Sequence, residues 1–133
     1  FFGPGTHGST FAGNPLSSRA ALAVLDTIED EDLLQNAARM GAHARERILG
    51  LASPLVDSVR GSGLLLGIQL TELISARVAR EAFQLGLIVN APNPSTIRIA
   101  PPLIVGQGEI DQFTERFQAA LAAATDPQGE ENG

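Results

Sequence analysis

An α+β domain is what this sequence predicts, and three observations predict it. Stretches with helical spacing of apolar residues, at 15–28 and 31–49, come before four short apolar runs of strand length, at 55–59, 64–70, 87–91 and 96–100. Further helix-period stretches at 75–86 and 107–124 interrupt and close that series. Turn-forming clusters, Arg60-Gly61-Ser62-Gly63 and Pro92-Asn93-Pro94-Ser95, lie between paired runs and suit hairpin connections. Strands gathered together and linked by hairpins give a small, mostly antiparallel sheet of three or four strands with helices packed on it.

Residues 1–14 read as loop, with Gly3, Pro4, Gly5 and Gly8 and no helical period. The run Gly3-Pro4-Gly5-Thr6-His7-Gly8 satisfies G-x-G-x-x-G, but no strand precedes it, a proline sits in the turn and the helix starts only after Asn14, so the dinucleotide reading fails on context. Asn14 is a good N-cap and Pro15 a good first helical residue. The following helix carries Leu16, Ala20, Ala23, Val24 and Ile28 on one face and reads as buried.

Glu31 and Asp32 place negative charge at the start of a second helix, whose stripe runs Leu33, Leu34, Ala37, Ala38, Met40, Ala44, Ile48 and Leu49. Gly50 or Ser53-Pro54 ends it. His43 on this helix reads as solvated or hydrogen-bonded, not as a metal ligand, because no second ligand sits at metal spacing. Gly67, inside the 64–70 run, marks a bulge or a close approach by another element. The 75–86 helix turns Val78, Ala79, Ala82 and Phe83 inward and stops at Gly86. Pro101-Pro102 ends the last strand, and Ile110, Phe113, Phe117 and Leu121 share one face of the closing helix. Residues 125–133 are polar and acidic and are expected to be disordered.

Composition narrows the function. The 133 residues, 44% hydrophobic, make one modest core. The net charge of -6 argues against nucleic-acid and anionic-membrane partners, which need clustered cations. There is no cysteine, so disulfides and thiolate metal sites are excluded and a cytoplasmic setting is the expectation. All nine basic residues are arginine, so the chain has no lysine.

The stretch His7-Gly8-Ser9-Thr10-Phe11-Ala12-Gly13-Asn14-Pro15 combines a hydroxyl pair, glycines and a helix start. That vocabulary suits an anion near the positive end of a helix, and it equally serves a loop capped only for stability. His7 and Ser9 have no orienting acid in view, so nucleophilic catalysis is a weak reading. The run resembles the HGSTFGGNP loop of class III (ornithine-type) pyridoxal-phosphate aminotransferases. Two further stretches resemble that family in the same order. Val59-Arg60-Gly61-Ser62-Gly63-Leu64-Leu65-Leu66-Gly67-Ile68 is similar to its VRGxGLLLGI. Leu87-Ile88-Val89-Asn90-Ala91 with Ile97-Arg98-Ile99-Ala100-Pro101-Pro102-Leu103 is similar to its LVNA and IRLAPPL. The last pairing is most typical of the acetylornithine branch. Ala12 stands where the family has glycine, which matters only if that position needs positive φ.

The resemblance implies the small C-terminal domain of a fold-type I transferase: a cofactor-site loop at 1–14, a linking helix and small domain at 15–124, and a tail at 125–133. It implies pyridoxal 5'-phosphate as cofactor and a homodimer in which Thr10, with Ser9 beside it, reaches the cofactor phosphate of the neighbouring subunit. It implies that Arg98 binds a substrate carboxylate, or pairs with a glutamate of the large domain when the other substrate is bound. The residues alone leave open a structural ion pair for Arg98. Arg60 reads as structural, and Asn90 as a residue near the site entrance.

The reaction implied moves the amino group of N-acetylornithine to 2-oxoglutarate. Such chemistry needs a lysine amine to hold the cofactor and shuttle a proton, so this chain is expected to be inactive alone, to contribute no catalytic residue, and to be the C-terminal part of a longer polypeptide whose large domain is its partner. The alternatives are an ornithine or other ω-amino-acid aminotransferase, and a free-standing, non-catalytic dimerisation or binding domain.

Overall fold

Asn14 begins the first helix in the computed structural model, which describes residues 3–5 and 8–125. The chain divides into two compact units, 1–34 and 35–133. In the first, α1 spans Pro15–Asp30, with Pro15 in its first turn and the Asn14 side chain accepting from the Ser17 N–H at 3.0 Å. The expectation that this helix is buried is not met. It contains no buried residue, and Leu16 is 82% exposed. Periodicity identifies an apolar face but says nothing about whether another element covers it.

The second unit is built on a four-stranded antiparallel sheet in the order β1-β2-β4-β3. Its strands are β1 (Val56–Ser62), β2 (Leu65–Leu70), β3 (Asn90–Asn93) and β4 (Thr96–Ile99). Three helices accompany it, α2 (Leu33–Gly50), α3 (Ser75–Gln84) and α4 (Gln107–Thr125). Alternation makes one sheet face apolar: Val59, Leu66, Ile68, Leu70, Ile97 and Ile99 are buried there and join Met40, Ala44, Ile48, Val78, Phe117 and Leu121 in one core. Leu34, Leu49 and Phe83, expected on apolar stripes, are 71%, 47% and 65% exposed: an apolar stripe read from spacing does not say which of its residues another element covers.

The elements stop where local chemistry stops them. Gly86, at φ +77°, ends α3 in a Schellman arrangement: its N–H reaches Phe83 O at 3.0 Å and the Leu87 N–H reaches Ala82 O at 2.8 Å. Glu109 reaches back to the Gly106 N–H at 3.1 Å and so closes the start of α4. His43 is hydrogen-bonded, as expected: its Nε2 meets Asp111 Oδ1 at 3.1 Å, and Arg47 Nε donates to the same oxygen at 2.9 Å. Thr125 ends α4 and is therefore helical, while the remainder of the expected tail, 126–133, lies outside the described residues.

Two hairpins differ from expectation. Arg60, Gly61 and Ser62 continue β1, and the turn shrinks to Gly63-Leu64, so that Ser62 faces Leu65 and Arg60 faces Gly67. Gly61 at φ +128° and Gly63 at φ +51° supply the backbone this tight reversal requires. In the second hairpin the strand begins only at Asn90, includes Pro92 and turns at Pro94-Ser95. Proline is tolerated because β3 is an edge strand with a register shift between Asn90 and Asn93. Ser75 pins that corner to α3, donating to Asn93 O at 2.6 Å.

Gly41 of α2 lies against the first turn: a Cβ there would fall 2.1 Å from Gly63 O. Alanine gains up to about 1 kcal/mol of helix propensity over glycine, whereas overpacking against backbone costs about 1–3 kcal/mol or more. Gly41→Ala is therefore expected to destabilise the chain, read as a lower urea midpoint by circular dichroism.

Candidate functional site

Ser9 and Thr10 separate in their roles within the loop. The Ser9 Oγ accepts from the Phe11 N–H at 3.2 Å, which leaves its O–H free to donate, and its carbonyl accepts from the Ala12 N–H at the same distance. Asn14 Nδ2 closes the turn on Phe11 O at 2.6 Å and on Ser17 Oγ at 2.9 Å. The Thr10 hydroxyl is exposed and makes no hydrogen bond to any described residue. A Cβ at Gly8 would meet nothing within 4 Å, so backbone in this stretch is open to close approach. Ala12 is not among the positive-φ residues, and Gly13, at φ +71°, takes the left-handed position, so the alanine at 12 is unstrained. His7 lies outside the described residues.

Arg98 belongs to the second unit. Alternation between buried Ile97 and Ile99 points it to the open face of the sheet, as expected, but it is exposed, so the cost of burying an unpaired cation does not arise. No carboxylate among the described residues pairs with it. An ion pair within the domain, the alternative left open by the sequence, is thus absent from the described residues.

Antiparallel register assembles a row across this face. Arg60 of β1 faces Gly67 of β2, Gly67 faces Arg98 of β4, and Arg98 faces Asn90 of β3. A groove of about 470 Å³ runs over Arg60, Gly67 and Arg98, with Ser62, Thr96 and Asn93 also on its walls and Asn90 outside it. Its floor is held by a polar network in which Thr96 Oγ1 donates to Gln69 Oε1 at 3.1 Å and Gln69 Nε2 donates to Ser95 Oγ at 2.9 Å. Gly67 sits at a regular ladder position and not at a bulge; the only register shift between β1 and β2 lies at Val56/Ser58. A Cβ placed there would stand 3.6 Å from both the Arg60 Cγ and the Thr96 Cγ2, ordinary contact distances, so side chains of the two neighbouring strands approach it closely.

The Arg60 position was missed by sequence reasoning. Extending the turn over residues 60–63 removed Arg60 from the ladder and with it the register that sets it beside Arg98; a two-residue reversal at Gly63-Leu64 would have shown it. Arg45, by contrast, is structural: its guanidinium donates to Val59 O and, at 3.1 Å, to Gly61 O, covering the β1 edge. Among the described residues there is no group of three His, Asp or Glu able to hold a metal, and no helix is long and apolar enough to cross a membrane.

Residues 1–121 match the family model for aminotransferase class III. The chain belongs to the class III aminotransferase family. Among class III aminotransferases it is 47% identical over 127 residues to the acetylornithine aminotransferase of Streptomyces coelicolor, covering 96% of this chain and 31% of that protein. It is 42% identical over 124 residues to the ornithine aminotransferase of Exiguobacterium sp., covering 92% and 30%. The fold matches that of an acetylornithine aminotransferase from Elizabethkingia anophelis with a TM-score of 0.80 at 31% identity, over 91% of this chain and 33% of that one. This class III chain therefore spans about a third or less of the length of the relatives it matches.

Proposed function

We propose that this chain is the C-terminal portion of an acetylornithine aminotransferase, acting in the cytoplasm in arginine biosynthesis and moving the amino group of N-acetylornithine to 2-oxoglutarate. The observation that carries this reading is the 47% identity to such an enzyme over 96% of the chain. Its partners are the large domain of the same polypeptide, a second subunit, and the small-molecule amino acid and 2-oxo acid.

The cofactor is pyridoxal 5'-phosphate, which when bound supplies the electron sink for bond cleavage at the amino-bearing carbon. The unengaged Thr10 hydroxyl and the open backbone at Gly8 fit a phosphate oxygen. Thr10 donates one hydrogen bond to the phosphate of the neighbouring subunit's cofactor, while Ser9 keeps the turn that presents it. Arg98 offers a planar two-pronged donor to a substrate carboxylate. The lysine that moves the proton comes from outside this chain, which has none.

The test is to express the full-length gene product, measure its intact mass and assay transamination of N-acetylornithine with 2-oxoglutarate. A lysine-containing protein about three times longer that turns over this pair supports the reading. A native product of 133 residues would exclude self-sufficient transamination and leave a non-catalytic binding domain. The 42% identity to an ornithine aminotransferase favours ornithine as the second candidate donor, decided by comparing kcat/KM for the two amines. Thr10→Ala in the full-length protein is expected to weaken cofactor binding by about 1 kcal/mol, roughly fivefold, in equilibrium dialysis; unchanged affinity would remove the phosphate role.

A further inference from the structure

Thr96 opens β4 two residues before Arg98, so the two side chains stand on the same face of the sheet. They occupy adjacent rungs of the ladder with β2, where Thr96 faces Gln69 and Arg98 faces Gly67. Gly67 has no side chain to steer Arg98 from across the ladder, so the aim of the arginine depends on the backbone of β4. Thr96 is buried, at 4% exposure, and its hydroxyl donates to Gln69 Oε1 at 3.1 Å. The bonds then continue in one direction: Gln69 Nε2 donates to Ser95 Oγ at 2.9 Å, and the Ser95 hydroxyl donates to Asn93 Oδ1 at 3.4 Å. Ser75, at the head of α3, holds Asn93 O at 2.6 Å, so the chain of bonds runs from the β2–β4 ladder through the β3–β4 turn to a helix. Hydrogen bonds aligned in this way polarise one another, and a satisfied network rigidifies what it spans. Here it spans the end of the sheet that carries Arg98.

We infer that Thr96 is a positioning residue for Arg98: its hydroxyl bond to Gln69 locks the first rung of β4 and so holds the Arg98 fork in the plane a carboxylate requires. The inference rests on the carboxylate role proposed for Arg98. A guanidinium binds two oxygens only when its plane meets theirs, so a loosened start of β4 costs recognition before it costs folding.

The test uses the full-length protein with Thr96→Val, which keeps the shape and removes the hydroxyl, and Thr96→Ser, which keeps the hydroxyl. Thr96→Val is expected to raise KM for 2-oxoglutarate about fivefold, the scale of one hydrogen bond, with kcat within about twofold, whereas Thr96→Ser stays within about twofold of the parent in both. Calorimetric titration with glutarate, which cannot accept an amino group, reads the same contact without turnover and is expected to weaken about fivefold in Thr96→Val. In an Arg98→Ala background Thr96→Val is expected to add nothing further, because a residue that acts through Arg98 has no effect once Arg98 is gone. A lowered melting temperature with unchanged KM and unchanged glutarate binding would overturn the assignment and leave the network a structural tie. Equal losses with and without Arg98 would overturn it as well. If Arg98→Ala itself leaves KM and glutarate affinity unchanged, the carboxylate role of Arg98 fails and the positioning role fails with it; if Arg98→Ala raises KM and Thr96→Val does not, the positioning role alone fails. Where Thr96→Val does not fold, Gln69→Met, which removes the acceptor, takes its place. If the parent protein transfers no amino group, the proposed function fails and the glutarate titrations decide.

Discussion

With Arg98 replaced by Ala, the full-length protein is expected to show a KM for 2-oxoglutarate raised between about 10- and 100-fold. The scale follows from a charge-assisted hydrogen-bonded contact, worth about 1.5–3 kcal/mol. The direction follows from geometry: the side chain is exposed on the open sheet face and has no acidic partner among the described residues, so its interaction energy is available for a ligand. Folding should be nearly untouched, because the buried neighbours Ile97 and Ile99 carry the strand's share of the core. Steady-state kinetics paired with a thermal melt checks this. A raised KM with an unshifted melt supports recognition by Arg98, since loss of substrate binding appears in KM. An unchanged KM with a lowered melt would make it structural.

Phe117→Ala is expected to cost the 133-residue chain about 3–5 kcal/mol, the usual range for emptying a buried aromatic site. Phe117 has no exposed surface and stacks on Phe113, with ring centroids 5.4 Å apart and planes at 14°. It lies on α4, which packs on α3, so the cavity would open in the layer that closes the core. A domain is stable by only about 5–15 kcal/mol, so this one truncation removes a large share of it. The chain has no tryptophan or tyrosine, and the urea transition is therefore followed by far-ultraviolet circular dichroism. A loss below 1 kcal/mol would mean that the site collapses around the smaller side chain.

Most of the helical boundaries were legible in the sequence because caps and stops are local. Asn14-Pro15 and Gly86 each act over a few residues, and the structure uses them where they stand. Strand limits were less legible. The run Leu87-Ile88-Val89 is apolar and strand-like, yet the ladder starts only at Asn90, since a strand exists only where a partner offers hydrogen bonds. Of the two residues proposed to bind ligands most directly, Thr10 and Arg98, both came from motif resemblance and alternation. The freedom of the Thr10 hydroxyl, set against the engagement of Ser9, required the loop's own hydrogen bonds to be seen.

By itself the sequence determined the α+β class, the caps, the apolar face of each helix, the missing lysine and the side of its strand that Arg98 occupies, because periodicity, capping and composition are properties of short stretches. Only the tertiary structure decided which apolar faces are covered, the two-residue turn at Gly63-Leu64, and the cross-strand row that joins Arg60 to Arg98 across Gly67. Register is a relation between segments distant in the chain, and a shift of one residue in a strand sends every side chain to the opposite face.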